Sequence, residues 1–264
     1  MLLLLPTLWS LTLASRGLPP WRLTVIFVAG SFLMRSAGVA LNDLADRSFD
    51  RHVARTSRRP LASGELSPAQ ALLIVALLLL LAGILVLLLD PVVWMLSPIA
   101  VGLAALYPFA KRVIHIPQAM LGIAFGWGTV MAWAAVRGTS EWPAWLLFAA
   151  TVCWAVGYDT IYALQDLEDD RRIGVKSSAL WFGPSAWLAV GLALAATLGL
   201  LALAGRLQSA GWAYFITLVL CGWFALRQTL RLRRPVSAGE AFALFRQHVW
   251  MGTAILAGLL AGFA

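Results

Sequence analysis

The sequence predicts an all-α, polytopic membrane protein with nine transmembrane helices in one domain, residues 1–264, and three observations carry that prediction. Hydrophobic residues make up 61% of the chain and charged residues only 12%, with a mean hydropathy of +0.83. That lies far outside the soluble globular range. The apolar residues form long continuous runs rather than alternating, which excludes a β-barrel. The Lys and Arg residues concentrate in every second connection between these runs, as the positive-inside rule requires. No polar stretch is long enough to build a second core.

The spans run over 2–15, 23–45, 69–89, 92–108, 117–136, 143–165, 186–205, 210–226 and 247–264. The first is leucine-rich and short for a bilayer, and it lacks the positive n-region of a signal peptide, so it reads as a first transmembrane helix. The third and fourth are separated only by Asp90-Pro91 and form a tight hairpin, because proline ends one helix and opens the next. In the loop 47–68, Arg59-Pro60, Ser63-Gly64 and Ser67-Pro68 are turn signals, and Ser67 is an N-cap for the third span. Cys153 and Cys221 both fall inside apolar spans and read as packing residues rather than a disulfide.

Fifteen basic residues follow spans two, four, six and eight, against four (Arg16, Arg22, Arg137 and Arg206) on the other side. This places the N-terminus on the cytoplasmic side and the C-terminus outside. It also explains the net charge of +8 without a nucleic-acid partner. Most of these residues set topology and touch anionic head groups, Arg227 to Arg234 above all.

Two acidic clusters hold eight of the twelve Asp and Glu residues, both at cytoplasmic helix ends. The first is Asn42-Asp43-Leu44-Ala45-Asp46-Arg47-Ser48-Phe49-Asp50. The second is Asp159 with Asp166-Leu167-Glu168-Asp169-Asp170. Asn42, Asp46 and Asp50 recur every four residues and share a helix face, as do Asp166 and Asp170, with Asp159 seven residues before. Carboxylates at a helix C-terminus oppose the macrodipole, so helix stabilisation does not account for them. Solvated helix ends are the plainer reading of one such cluster; two at the same membrane face ask for a shared cation. Paired hard oxygen donors suit Mg²⁺, with positions left for phosphate oxygens. The metal candidates are therefore Asn42, Asp46, Asp50, Asp166 and Asp170.

Arg47, Arg58, Arg59, Lys111 and Lys176 lie in basic segments around these clusters and are candidate phosphate contacts. Arg35 reads as buried mid-span, seven residues before Asn42 on the same face. An intramembrane arginine is either functional or the counter-ion of a nearby carboxylate. His115 and His248 have no second histidine at metal-ligand spacing, and Gly122, Gly126 and Gly128 suit close helix packing. The thirteen tryptophans read mostly as core and interface anchors. A cation transporter using the acidic stripes is a rival function, although transporter sites tend to lie at the midplane. A purely structural subunit leaves the stripes unexplained.

The first cluster resembles the first aspartate-rich motif of the UbiA family of intramembrane prenyltransferases, and Asp166-x-x-x-Asp170 resembles the second. Further stretches resemble its branch acting on 4-hydroxybenzoate. These are Arg55-Thr56-Ser57-Arg58-Arg59-Pro60-Leu61-x-Ser63-Gly64, Tyr107-Pro108-Phe109-x-Lys111-Arg112, Leu121-Gly122-x-Ala124-Phe125-Gly126-Trp127 and Tyr158-Asp159-Thr160-x-Tyr162-Ala163. Family members usually begin with an Arg-x-Asp-Lys-Pro-like stretch, whereas this sequence starts Met1-Leu2-Leu3-Leu4-Leu5-Pro6. The resemblance implies nine helices around a central cavity capped by the motif loops. It implies Mg²⁺ held by Asn42, Asp46, Asp166 and Asp170 and bridging a polyprenyl diphosphate. The expected activity is Mg²⁺-dependent transfer of a polyprenyl group to the ring carbon ortho to the hydroxyl of 4-hydroxybenzoate, a step of ubiquinone biosynthesis. A naphthoate, homogentisate, haem or chlorophyllide is the alternative acceptor. Asp46, Asp159 and Asp166 are the expected catalytic residues, with Asp159 as general base, and Tyr162 joins Arg35 and Asp159 among the substrate contacts. The expected setting is a bacterial inner membrane with a cytoplasmic-side site and no obligate protein partner.

Overall fold

Apolar runs punctuated by proline dictate the helix boundaries in the computed structural model, which describes residues 1–51 and 56–264. Arg55 therefore lies outside the described residues. The helices are α1 (Leu4–Ser15), α2 (Trp21–Asp50), α3 (Pro60–Ser63), α4 (Pro68–Leu87), α5 (Pro91–Val113), α6 (Pro117–Arg137) and α7 (Trp142–Ala163). A 3₁₀ turn, Leu164–Asp166, leads into α8 (Leu167–Ile173), followed by α9 (Ser178–Phe182), α10 (Ala186–Leu207), α11 (Trp212–Arg231) and α12 (Ala238–Gly262). No strand occurs among the described residues.

Pro68, Pro91 and Pro117 each open their helix, where the missing N–H costs nothing. Ser67 caps α4 in a capping box: its hydroxyl accepts from Gln70 N at 3.3 Å, and Gln70 Oε1 accepts from Ser67 N at 2.9 Å. Pro98 lies inside α5 and cannot donate to Trp94 O; Ser97 Oγ donates to that carbonyl instead, at 2.9 Å.

Seven of the nine predicted spans are long and apolar enough to cross a membrane. The remaining two are not established as spans by length and composition. α1 has only 12 residues, and the first half of α12 carries Glu240, Arg246, Gln247 and His248. α12 also starts nine residues before the predicted 247, because Ser237 caps it by accepting from Glu240 N at 3.3 Å. Large exposed apolar side chains such as Leu72, Leu77, Leu80, Val219 and Leu220 coat the outside, as an integral membrane protein requires.

Consecutive long helices pack against one another, and α12 returns to α1 while α1 meets α2, which closes a ring. The larger core cluster joins α1, α6, α7, α10, α11 and α12 around the fully buried Trp9, Trp133, Trp154 and Tyr214. Trp9 Nε1 donates to Gly252 O at 2.9 Å, Trp154 Nε1 to His248 Nδ1 at 3.1 Å, and Tyr214 Oη to Leu201 O at 3.0 Å. Cys153 and Cys221 are unpaired. Gly122 and Gly126 let α6 touch α7: a Cβ at Gly122 would lie 2.7 Å from Val152 Cα. Because that obstacle is backbone, Gly122→Val should destabilise the protein by about 1–3 kcal/mol. Thermal unfolding in detergent should show a lower midpoint for that variant and little change for Gly83→Ala, where a Cβ meets nothing within 4 Å.

Candidate active site

The 30-residue α2 runs past its most apolar stretch and projects its acidic face from Asn42 to its end at Asp50. The matching face comes from the end of α7, the 3₁₀ turn and α8. Asp166 closes the 3₁₀ turn rather than continuing an α-helix, so the predicted four-residue stacking of Asp166 on Asp170 is replaced by a turn-and-helix pair. Both faces open into one chamber of about 1040 Å³. Asn42, Asp43, Asp46, Asp50, Asp159, Asp166 and Asp170 line it, with Arg35, Arg59, Lys111, Arg112 and Lys176. Among the described residues six carboxylates thus meet five Lys and Arg side chains, close to charge balance.

Asp46 is only 2% exposed and receives Lys111 Nζ on Oδ2, while its buried Oδ1 has no hydrogen-bond partner among the described residues. Arg59 Nη1 bridges two carboxylates, Asp43 Oδ1 at 2.7 Å and Asp50 Oδ2 at 2.9 Å. Thr56 Oγ1 donates to Asp50 O at 3.1 Å, which ties Thr56 to the end of α2. The second loop is tied to α5: Lys176 N donates to Lys111 O at 3.2 Å and Lys176 Nζ to Val113 O at 2.7 Å. Thr160 and Ser178 share a hydrogen bond of 2.6 Å, and Ser178 N donates to Gln118 Oε1 at 3.2 Å, which locks α9 beneath the chamber.

Most of the predicted site residues converge, and the exceptions have local causes. Arg47 does not line the chamber; its Nε donates to Leu61 O at 3.2 Å, a carbonyl that the four-residue α3 leaves unpaired. Arg58 is exposed and outside the chamber, one residue from Arg59, which enters it. Lys176 reaches the chamber wall with its ammonium spent on Val113 O rather than facing a phosphate. Asp50, predicted as a metal ligand, is the ion-pair partner of Arg59. Arg35 is not buried: it is exposed into the chamber, 5.7 Å from the Phe125 ring centroid, and its charge acts on Asp159. Tyr162 lies on the wall with its ring centroid 4.8 Å from that of Phe245.

Sequence reasoning missed Phe242 and Phe245, because the predicted last span began at 247. The signal was Ser237-x-x-Glu240, an N-terminal cap pattern. It singled out neither Asp43 nor Arg112 as site residues, and it left Tyr107 and Phe125 unassigned among many aromatics; all four line the chamber.

A second, apolar pocket of about 200 Å³ adjoins the chamber between α1, α2, α4, α5 and α6. Arg35, Gly38, Tyr107, Phe125 and Leu3 line both, so polar chamber and apolar pocket meet at that junction. Among the described residues, no three His, Cys, Asp or Glu side chains are gathered closely enough to hold a metal ion. The donors nevertheless fit a hard cation: carboxylate and amide oxygens face one space, and the buried Asp46 Oδ1 lacks a partner.

A helical ring with a charged chamber at one end and an apolar pocket beside it defines a class of integral membrane proteins that handle amphiphilic anions. The profile of the UbiA prenyltransferase family matches residues 3–257, and the chain belongs to that family. A 4-hydroxybenzoate octaprenyltransferase of Thiobacillus denitrificans is 49% identical over all of this chain and 89% of its own length. The protein of the same name from Cupriavidus necator is 46% identical over all of this chain and 92% of its own length. Among solved structures, the apo form of a UbiA homolog from Aeropyrum pernix K1 superposes with a TM-score of 0.84 at 27% identity, covering 100% of this chain and 98% of that one. A homolog from Archaeoglobus fulgidus, bound to GPP and Mg²⁺, shares the fold with a TM-score of 0.71 at 19% identity, over 99% of this chain and 95% of that one.

Arg59 is the strap of the first loop. A double-mutant cycle of Arg59→Ala with Asp50→Asn, read by thermal unfolding in detergent, should give a coupling energy of about 1 kcal/mol. Strict additivity would mean that the bridge contributes nothing.

Proposed function

We propose that the protein transfers a polyprenyl group from polyprenyl diphosphate to the ring carbon ortho to the hydroxyl of 4-hydroxybenzoate, a step of ubiquinone biosynthesis. One observation carries this reading: the oxygen-donor faces and the basic residues share a chamber that continues into an apolar pocket. A diphosphate head with a hydrocarbon tail matches that juxtaposition. The names of the curated relatives support the acceptor and the donor class.

In this reading Asn42, Asp46, Asp166 and Asp170 hold Mg²⁺, which supplies charge neutralisation to the diphosphate leaving group. Arg59 and Lys111 add donors to its oxygens as negative charge builds there. The allylic C1–O bond breaks and its electron pair leaves with the diphosphate. The aromatic carbon ortho to the hydroxyl forms the new C–C bond to C1, and that carbon then gives its proton to the released diphosphate, which restores the aromatic ring. Asp159, on the chamber wall with Arg35 and Tyr162, orients or accepts the phenol proton and so raises the electron density of the ring. Arg35 faces the chamber at its junction with the pocket, where it suits the carboxylate of the acceptor. The tail occupies the apolar pocket, and water exclusion directs the allylic cation to the ring instead of to prenyl alcohol. The basic loops favour a chamber on the cytoplasmic side, and the bacterial relatives favour an inner membrane, as the setting of this reading.

Membranes or purified protein given 4-hydroxybenzoate, a polyprenyl diphosphate and Mg²⁺ should form the prenylated acid. EDTA should abolish the product, and Asp166→Ala should lower the rate about 100-fold or more. Diphosphate release with prenyl alcohol alone would overturn the acceptor assignment and keep the ionisation step. The pocket makes a separate claim. Gly83 lines it with open space at its Cβ position, so Gly83→Phe should raise KM for a long polyprenyl diphosphate while leaving geranyl diphosphate nearly unaffected.

A further inference from the structure

We propose that Lys111 is an exchangeable internal counter-ion: it holds Asp46 while the chamber is free of metal and passes to the diphosphate when metal and diphosphate enter together. The proposal rests on the metal and diphosphate reading above and adds an order to it.

Three observations carry it. First, the Asp46 carboxylate is almost wholly buried, with Lys111 on one oxygen and, among the described residues, no hydrogen-bond partner on the other. Among the described residues Lys111 is the cation on this carboxylate, and a buried carboxylate stripped of its counter-ion is strongly destabilising, so the metal-free protein depends on this pair. Second, Lys111 is an ammonium on a flexible stem with its side chain 28% exposed to the chamber, so it can swing within the space it lines. Arg59 bridges two carboxylates at once and is less free to move. Third, the lining of six carboxylates and five cations is nearly neutral without any metal. A divalent cation arriving alone meets Lys111 already on Asp46, and the two positive charges repel across a few ångströms. A diphosphate arriving alone has too few cations to neutralise it. Arriving together they restore the balance, because Lys111 exchanges one carboxylate oxygen for a phosphate oxygen.

The backbone of Lys111 makes the exchange relevant to both acidic faces. Its carbonyl accepts from Lys176 N in the loop that follows Asp170, so the residue that clamps the first cluster also anchors the segment behind the second. Release of the Nζ from Asp46 therefore occurs at a point tied to both motif loops. In this account Lys111 suppresses binding of bare metal and favours binding of the metal–diphosphate pair.

The test uses the full chain in detergent, with Mn²⁺ as the spectroscopic probe and binding read by electron paramagnetic resonance, with and without inorganic pyrophosphate. Lys111→Met should bind Mn²⁺ alone about tenfold more tightly than the unmodified protein, since the competing charge is gone. Lys111→Gln, which keeps a hydrogen-bond donor without the charge, should show the same gain and stands in if the methionine variant does not fold. Lys111→Arg should stay near the unmodified affinity. Pyrophosphate should tighten Mn²⁺ binding in the unmodified protein more than in Lys111→Met. If pyrophosphate promotes Mn²⁺ binding but neither uncharged variant gains affinity for Mn²⁺ alone, the exchange is wrong and the functional reading stands. If the unmodified protein binds no Mn²⁺ even with pyrophosphate, both fall.

Discussion

Six carboxylates beside a bilayer are the constraint on which the charged end of this molecule is built. Each needs a cation or hydrogen-bond donors, because an ion next to hydrocarbon is costly. Arg59, just ahead of α3, reaches Asp43 and Asp50. α5 extends beyond its apolar stretch so that Lys111 reaches Asp46. The second loop docks on α5 through Lys176 and on α6 and α7 through Ser178. Without the carboxylates Arg59 and Lys111 would lose these ion-pair partners, which is why the first motif and the basic segments around it belong together.

The opposite end is built on another principle. The C-terminal ends of α1, α6 and α10 meet there, and Arg16 and Arg137 both donate to Gln208 Oε1, at 3.0 and 3.2 Å. Cations at helix C-termini complement the partial negative charge of the helix dipoles. Gly211 N donates to Gly262 O at 2.8 Å and closes the end of α12 onto the start of α11. The tryptophan-rich core sits between the two ends and fixes α6 and α7, whose most apolar stretches are each 56% buried. In α4 and α5 the corresponding figures are 17% and 11%. The ring therefore has one firmly packed wall and one thin wall, and the apolar pocket lies against the thin one.

Legibility from sequence followed the strength of the physical signal. Helix type, proline-set boundaries and the Ser67 cap were readable because proline and capping chemistry act within a few residues. The acidic face of α2 was readable because four-residue spacing is a local property of a helix, whereas the 3₁₀ turn that ends at Asp166 breaks that spacing in the second cluster and leaves no such signal. Which basic residue meets which carboxylate was not. Arg58 and Arg59 are neighbours in an irregular loop, and only the turn into α3 decides that Arg59 points inward. Arg47 shares its turn with Asp43 and Asp46, yet an unpaired carbonyl of α3 takes it away from the chamber. Arg35 read as buried because composition alone cannot reveal a water-accessible cavity inside an apolar span. The early start of α12 was hidden by its charged first turns, and with it Phe242 and Phe245.

The position of the chamber decides between a bare ion and a larger amphiphilic anion. A transport site for a cation needs carboxylates that the ion can reach and leave from both faces of the membrane. Here the carboxylates cluster at one end of the ring, three of them already engaged with Lys111 and Arg59. The packed core formed by Trp9, Trp133 and Trp154 stands between them and the other end. An ion released from Asp46 has a basic rim on one side and an apolar pocket on the other, neither of which is a path for a cation. A molecule with a charged head and a hydrocarbon tail finds a use for all three features. Its head meets the cations, its metal meets the carboxylates, and its tail lies in the pocket against the thin wall. The bilayer is then the reservoir of the substrate as well as the solvent of the fold, which gives a physical reason for placing a group transfer inside a membrane protein at all.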